Sequence, residues 1–222
     1  MKYIASAEDL ALLVEQYGFL PFFRNEIPGL SVEEHTPPEF WFSDERDGAW
    51  EWKGPVIRQL GCAYGKFFAN KAGFVSRAWF PDFANWRRDG YDFDARYDDG
   101  LARTVDKYVF DLLDQHTSLL SKELKQLGGF GKQGRKGFDG IMTRLQMQCY
   151  VTTADFVYQT DRHGKPYGWG VARYAVPERF FGSDFADTVY SRTPEESKAR
   201  MLAYLARKFP NVPEKALLRL IG

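Results

Sequence analysis

GLARTVDKYVFDLLDQHTSLLSKELKQLGGFGKQGRKGFDGIMTRLQMQCYVTTADFVYQTDRHGKPYGWGVARYAV, residues 100–176, is the stretch from which the fold is read. Leu101, Val105, Tyr108, Val109, Leu112 and Leu113 recur at helical spacing on one face. Ser118 or Ser121 is placed to cap a second helix carrying Leu120, Leu124 and Leu127, and Gly128-Gly129 stops it. The basic connection Phe130-Gly131-Lys132-Gln133-Gly134-Arg135-Lys136-Gly137 follows, and a third helix is predicted over 138–148. Two runs rich in Val, Thr, Tyr and Phe, 149–159 and 167–176, read as strands, with Arg162-His163-Gly164-Lys165 as the tip between them. Three helices followed by a β-hairpin is the order of a winged helix-turn-helix module, here inside an α+β chain.

In such a module the third helix enters the major groove and the hairpin tip touches the backbone. Steps of about 100° turn Phe138, Ile141, Met142 and Leu145 toward the core and Asp139, Gly140, Thr143, Arg144 and Met147 outward. Thr143 and Arg144 are then candidates for base edges, and Met147 for apolar contact. Lys132, Arg135 and Lys136 lie on glycine-rich backbone that reads as flexible, which suits phosphate contact; Arg162 and Lys165 would act likewise at the wing. The expected partner is double-stranded DNA. The alternative is a protein-protein interaction module, because charged turns are commonly just solvated and Asp139 repels phosphate. Gly129 to Gly134 matches G-x-G-x-x-G, but a helix precedes it where a dinucleotide site needs a strand.

The chain divides by composition into 1–99, 100–178 and 179–222. Ser6 with Asp9 opens a first amphipathic helix that Gly18 ends. Residues 19–30 contain Pro21 and Pro28 and read as irregular, and Ser31 with Glu34 forms a second capping pattern. Residues 40–97 are dense in aromatics, with strands predicted over 62–69 and 73–79 and a connection at Asn70-Lys71-Ala72. Pro81 starts a short turn or helix, and Asp92, Asp94, Asp98 and Asp99 read as an acidic loop. In the last part Thr193, Pro194 and Glu196 make a capping box, with Leu202, Leu205 and Ala206 inward, and a final short helix spans 213–221. These last helices are expected to pack on the same core. No repeat is visible in the residues.

Charge and cysteine usage narrow the function classes. Thirty basic and 30 acidic residues give a net charge of +0, so any basic surface must be local. Cys62 and Cys149 stand alone, without a C-x-x-C pattern, which fits a reduced cytoplasmic setting. The N-terminal residues lack the apolar run of a signal peptide, and no apolar stretch is long enough for a membrane span. His35, His116 and His163 have no ligand spacing, so neither a metal nor a cofactor is expected, and no G-x-S-x-G is present.

Chemistry, if present, is expected among the aromatics. Trp50-Glu51-Trp52-Lys53, Tyr64-Gly65-Lys66 and Trp86-Arg87-Arg88 set charged groups beside rings. Such a pocket could stack a flipped base and hold Glu51 as acid or base. It could equally be core with Lys and Arg snorkelling at its rim.

The runs PFFRNEIPGLSVEEHTPPEFWF, WEWKGPVIRQLGCAYGKFFANKAGFVSRAWFPDFANWRRDGYDFDARYDDGL and LQMQCYVTTADFVYQTDRHGKPYGWGVARYAVPE resemble those of a bacterial family described as AlkZ-related. The resemblance covers about residues 18–178. It implies a distant link to AlkZ-type winged-helix DNA glycosylases, which build a cradle from tandem winged helices and act in DNA repair. Those enzymes position water with a Gln-x-Gln or Gln-x-Asp signature, so the resemblance makes Gln146 and Gln148 further catalytic candidates. On a helix, however, residues i and i+2 point about 200° apart, and these two amides share a face only on extended backbone. The signature also lies near the N-terminal portion in that family, and here it is past the middle of the chain. The resemblance therefore implies a DNA-binding scaffold, with or without glycosylase-like hydrolysis.

Overall fold

The computed structural model describes residues 3–42, 47–163 and 166–222. The chain mixes helix and sheet, as an α+β fold does. It opens with α1 (Ala7–Tyr17), β1 (Phe19–Pro21), α2 (Val32–His35), α3 (Pro38–Trp41), α4 (Ala49–Leu60), β2 (Ala63–Phe68) and β3 (Lys71–Val75). Two connecting helices follow, α5 (Phe80–Arg88) and α6 (Phe93–Asp98). Next come α7 (Thr104–Asp114), β4 (Leu119–Leu120), α8 (Ser121–Leu127), α9 (Phe138–Met147), β5 (Thr152–Thr160) and β6 (Pro166–Ala175). The chain ends in α10 (Pro177–Phe181), α11 (Ser183–Val189), α12 (Pro194–Lys208) and α13 (Glu214–Ile221).

Local chemistry explains the element ends. Ser6 Oγ accepts from the Asp9 amide at 3.2 Å and starts α1. The Thr193 and Glu196 side chains exchange bonds with each other's backbone amides at 3.2 and 2.9 Å, the capping box expected before α12. Ala69 and Asn70 both take positive φ, 49° and 64°, so β2 turns tightly into β3 one residue earlier than the sequence placed it.

Other readings change. Residues 19–21 form a strand, because β1 pairs with β3 through Phe19 and Val75. The acidic segment after Asp92 is helical: Asp92 Oδ1 accepts from the Ala95 amide at 2.8 Å and Phe93 is buried. Leu120, not a serine, is the N-cap of α8, where Glu123 reaches back to the Leu120 amide. Leu101 and Leu127 are exposed, and so is Ala206; Met201 and Leu205 fill the inward face of α12. Helix α4 was not read from sequence, since Gly54 and Pro55 interrupt its pattern, yet Ala49, Trp52, Val56 and Ile57 supply a buried helical stripe.

The sequence shows no repeat, but the topology does. Apart from the extra four-residue helix α3 in the first, residues 7–75 and 104–175 each run helix, strand, helix, helix, strand, strand. In each, the first strand pairs with the third and the third with the second: β1-β3-β2 and β4-β6-β5. The repeat escapes the sequence because the order of strand pairing carries it, and pairing joins residues distant in the chain.

Buried apolar residues form two clusters. One gathers Leu10, Phe19, Ile57 and Phe74 of the first unit with Phe185, Met201, Leu205 and Leu217 of the C-terminal helices. The other joins Phe93, Val109, Leu124, Leu145 and Val176. Phe93 stacks on Phe110 at 4.4 Å, so α6 packs with the second unit although it precedes Gly100. Cys62 and Cys149 are buried free thiols, and burial pushes both up to about 12.

The two units meet reciprocally. Helix α4 lies on β5, α9 lies on β2, and β2 meets β5. Thr152 Oγ1 both accepts from the Tyr64 amide at 3.2 Å and donates to the Tyr64 carbonyl at 3.1 Å. Gly54 and Gly65 mark the two crossings. A Cβ on Gly54 would sit 3.3 Å from Asp155 Oδ1, and one on Gly65 would sit 3.0 Å from Gln146 Oε1. Arg58 closes the α4 side with an ion pair to Asp155.

Candidate nucleic-acid interface

The connection between α8 and α9 is a closed, hydrogen-bonded loop. The Arg135 amide donates to the Gly129 carbonyl at 2.8 Å, and Phe130 and Arg135 form a bridge. Lys136 Nζ donates to the Gly131 carbonyl at 2.7 Å and also to that of Lys132. Phe130 packs edge-on against Phe138 at 5.2 Å, anchoring the loop to α9. The guanidinium of Arg135 lies 4.2 Å from the Tyr108 ring centre. Lys132, Arg135 and Lys136 are all exposed. None of the three has a carboxylate partner among the described residues.

Several helical cations nearby differ. Lys107 pairs with Asp94 and Asp111, Lys125 with Asp139, and Arg179 with Asp114. Arg144 grips the buried Asp106 with Nε and Nη2 at 3.0 and 2.6 Å, and those bonds raise its pKa. This removes Arg144 from base reading. Thr143 is also turned inward on the protein: it donates to the Asp139 carbonyl at 2.7 Å and accepts from Lys66 Nζ at 3.1 Å. Met147 Sδ accepts from the Asn70 amide at 3.3 Å. At Thr143 and Met147 the face of α9 expected to be free meets β2 and its turn, while Asp139 and Gly140 at the start of the helix stay exposed. At the wing, Arg162 is exposed and donates to His163 Nε2 at 3.0 Å. Lys165 lies outside the described residues.

The aromatic pocket expected from Trp50, Trp52, Tyr64, Lys66, Trp86, Arg87 and Arg88 does not form as one cleft. Trp50 packs on Phe22 and Trp41, and Trp52 on Phe40. The buried Tyr64 ring tilts onto Phe74, and burial raises its pKa. Trp86, Arg87 and Arg88 sit on α5 and tie elements together. Trp86 Nε1 donates to the Gly222 carbonyl at 2.8 Å. Arg87 donates to the carbonyls of Phe67, Met147 and Ile221, one from each unit and one from α13. Arg88 is fully buried, holding Glu178 at 2.5 Å, Tyr190 at 2.9 Å and the Cys149 carbonyl at 2.8 Å. Burial opposes its charge, but Glu178 and Tyr190 outweigh that and raise its pKa. The apolar mass is core, and its Lys53 and Arg88 are buried within it instead of snorkelling at a rim.

The catalytic candidates have structural partners. Glu51 Oε2 accepts from the Gly48 amide at 3.0 Å and caps α4. Gln146 is buried, accepting from the Lys66 amide at 3.0 Å and donating to the Met142 carbonyl at 3.0 Å. Gln148 is the C-cap of α9 at φ −86° and ψ 2°, so the backbone is not extended and the two amides diverge. Lys53, next to Glu51, is only 8% exposed. Its Nζ lies 4.3 Å from the Phe156 ring centre and 4.7 Å from that of Trp50. Desolvation lowers its pKa to about 8, with Glu51 opposing. The sequence set Lys53 among indoles, but its burial against Phe156 was not legible, because that ring comes from the other unit.

Among the described residues, no group of three or more His, Cys, Asp or Glu could hold a metal, and no helix is long and apolar enough to cross a membrane.

Two similar helix-and-sheet units joined through their third helices define the class of protein. The AlkZ-related family model matches residues 4–222, and the chain belongs to that family. The solved structure of the Streptomyces sahachiroi DNA glycosylase AlkZ is similar at TM-score 0.47 and 13% identity, covering 99% of this chain and 60% of that one. The chain thus spans less than two thirds of that structure's length. No curated protein matches the sequence.

Proposed function

We propose that each unit is a winged helix and that the pair binds duplex DNA through phosphate contacts, in a DNA-repair setting. The observation that carries this reading is the loop 129–137. Its three cations are exposed and lack carboxylate partners among the described residues, whereas Lys107, Lys125 and Arg144 on neighbouring helices are paired. Exposed cations without carboxylate partners on a hydrogen-bonded loop are placed to contact an anionic polymer backbone. Membership in the AlkZ-related family supports DNA as the polymer. Binding of this kind is largely independent of sequence, since Thr143 and Arg144 are engaged within the protein.

The test is duplex binding across a salt series. Wild type binds at low ionic strength and weakens as salt rises. Replacing Lys132, Arg135 and Lys136 by Ala lowers the salt slope by about 2–3, roughly 0.9 per lost phosphate contact. Absence of salt-dependent binding at low ionic strength overturns the reading.

A second reading has an observation of its own. The docking of α9 on β2 favours a winged-helix interaction module without a nucleic-acid role. Glycosylase-like hydrolysis is tested separately by base release from alkylated duplex, comparing wild type with Glu51→Gln and Gln148→Ala. Release that both variants leave unchanged removes those residues as catalysts.

A further inference from the structure

A cavity of about 370 Å³ opens outside both units, between the first turn of α5 and helices α10, α11 and α12. Its size falls in the range of small-molecule sites, about 300–1,000 Å³. Phe80, Phe181 and Phe185 make its floor, packed on one another at 5.3, 5.4 and 5.6 Å. Arg77, Arg192 and Arg200 line the rim.

Two of these guanidinium groups face one buried carboxylate. Asp82 is 4% exposed, with Arg200 Nη1 at 3.0 Å from it and Arg192 Nη1 at 3.7 Å. Arg200 is within hydrogen-bond reach of Asp82 and Arg192 stands beyond it, so Arg192 is the less committed of the two cations. Arg77 meets Asp184 at 3.3 Å, but the Asp184 side chain is 82% exposed, and such a pair is weak and replaceable. Three cations against two carboxylates leave the lining net positive over an apolar floor. That combination fits an anion attached to a ring.

The number of forks selects the anion. Three guanidinium groups offer more donors than a carboxylate's two oxygens can accept, whereas a phosphate monoester presents three oxygens. Thr188 on the rim spends its proton on the Asp184 carbonyl, which leaves its oxygen open to a hydroxyl donor. We propose that this cavity binds a nucleoside 5′-monophosphate, with the base against the phenylalanine floor and the phosphate at Arg77, Arg192 and Arg200. The group can arrive as a free nucleotide or as the phosphorylated end of a strand. The proposal stands apart from the DNA-backbone reading, since none of its residues lies in loop 129–137.

Calorimetry on the full chain tests it with AMP, adenosine and inorganic phosphate. AMP is expected to bind at least about tenfold more tightly than either fragment. Arg77→Gln and Arg192→Gln are each expected to weaken AMP about tenfold; both leave Asp82 its 3.0 Å partner Arg200, so folding is retained. The Lys132/Arg135/Lys136→Ala variant binds AMP like wild type. In that variant, a 5′-phosphorylated single strand is compared with its unphosphorylated form. A phosphorylated end that outbinds AMP assigns the site to strand ends, and equal affinity assigns it to free nucleotide. The proposal is overturned if phosphate improves neither ligand, or if both arginine variants bind as well as wild type.

Discussion

The two units share one topology and differ in what they leave uncovered. The hairpin of the first is short, turns at Ala69-Asn70, and presses its strand β2 against α9. The hairpin of the second is longer, and it carries Trp169 71% exposed toward its far end. The connection before the third helix differs as well. In the first unit it carries Phe40, Trp41 and Phe42, which pack around Trp50 and Trp52. In the second it is the glycine-rich loop with three exposed cations. The first unit, sealed further by the C-terminal helices, is the scaffold, and the second presents a surface. A repeated fold does not imply a repeated role: packing decides which copy keeps free groups.

The largest expected effect breaks the joint between scaffold and second unit. Arg88→Met leaves the Glu178 carboxylate and the Cys149 carbonyl without their buried donor, and should cost about 3–5 kcal/mol in urea unfolding. A change under about 1 kcal/mol would mean the arginine is not a joint.

Lys53→Met probes the other crossing, where a lysine sits between rings of both units. The folded state holds the amine's pKa near 8 against 10.5 for the ordinary group. Below pH 8 both folded and unfolded chains carry the proton, so the full penalty of burying the charge is present. Between about pH 8 and 10.5 the unfolded chain binds more protons, so wild-type stability gains from this group as pH rises. The methionine variant should be about 1–2 kcal/mol more stable at pH 7, with that advantage shrinking by pH 10. Denaturation curves whose difference is flat across that window would contradict the burial of a charged amine.

Gln146→Leu should cost about 1–2 kcal/mol, because it strips the acceptor from the Lys66 amide at the unit boundary. Gln148→Ala, at the half-buried C-cap of α9, should stay within about 0.5 kcal/mol. Equal costs would show that the units do not depend on this contact. The smallest effect belongs to the loop: the Lys132/Arg135/Lys136→Ala variant should unfold within about 0.5 kcal/mol of wild type. Its larger change is expected in salt-dependent duplex binding.

Much of the second unit was legible because its signals are local. The glycine stop after Leu127, the inward set Phe138, Ile141, Met142 and Leu145, and the Val- and Thr-rich strands all act within a few residues. The first unit was harder. Pro55 disguises α4, and β1 is three residues long and exists only through its pairing with β3. The candidate site split along the same line. Lys132, Arg135 and Lys136 stand where a polar loop between helices must stand, on the surface. Thr143, Arg144 and Met147 were assigned outward by helical geometry, which sees one helix and not the partner lying on it.

By itself, then, the sequence determined the three helices and the hairpin strands of residues 104–175, though not β4, together with the caps of α1 and α12, the basic loop and the kinship of the chain. Periodicity, caps and turns are short-range properties, and a single chain carries them openly. Tertiary structure alone decided that the topology occurs twice, that each third helix is spent on the opposite unit, and that Arg77, Asp82, Arg192 and Arg200 share one cavity. Those outcomes depend on contacts between residues about 80 to 120 positions apart, such as Lys66 with Gln146 and Asp82 with Arg200. No local pattern records them, because the free energy that selects them comes from burying two surfaces together.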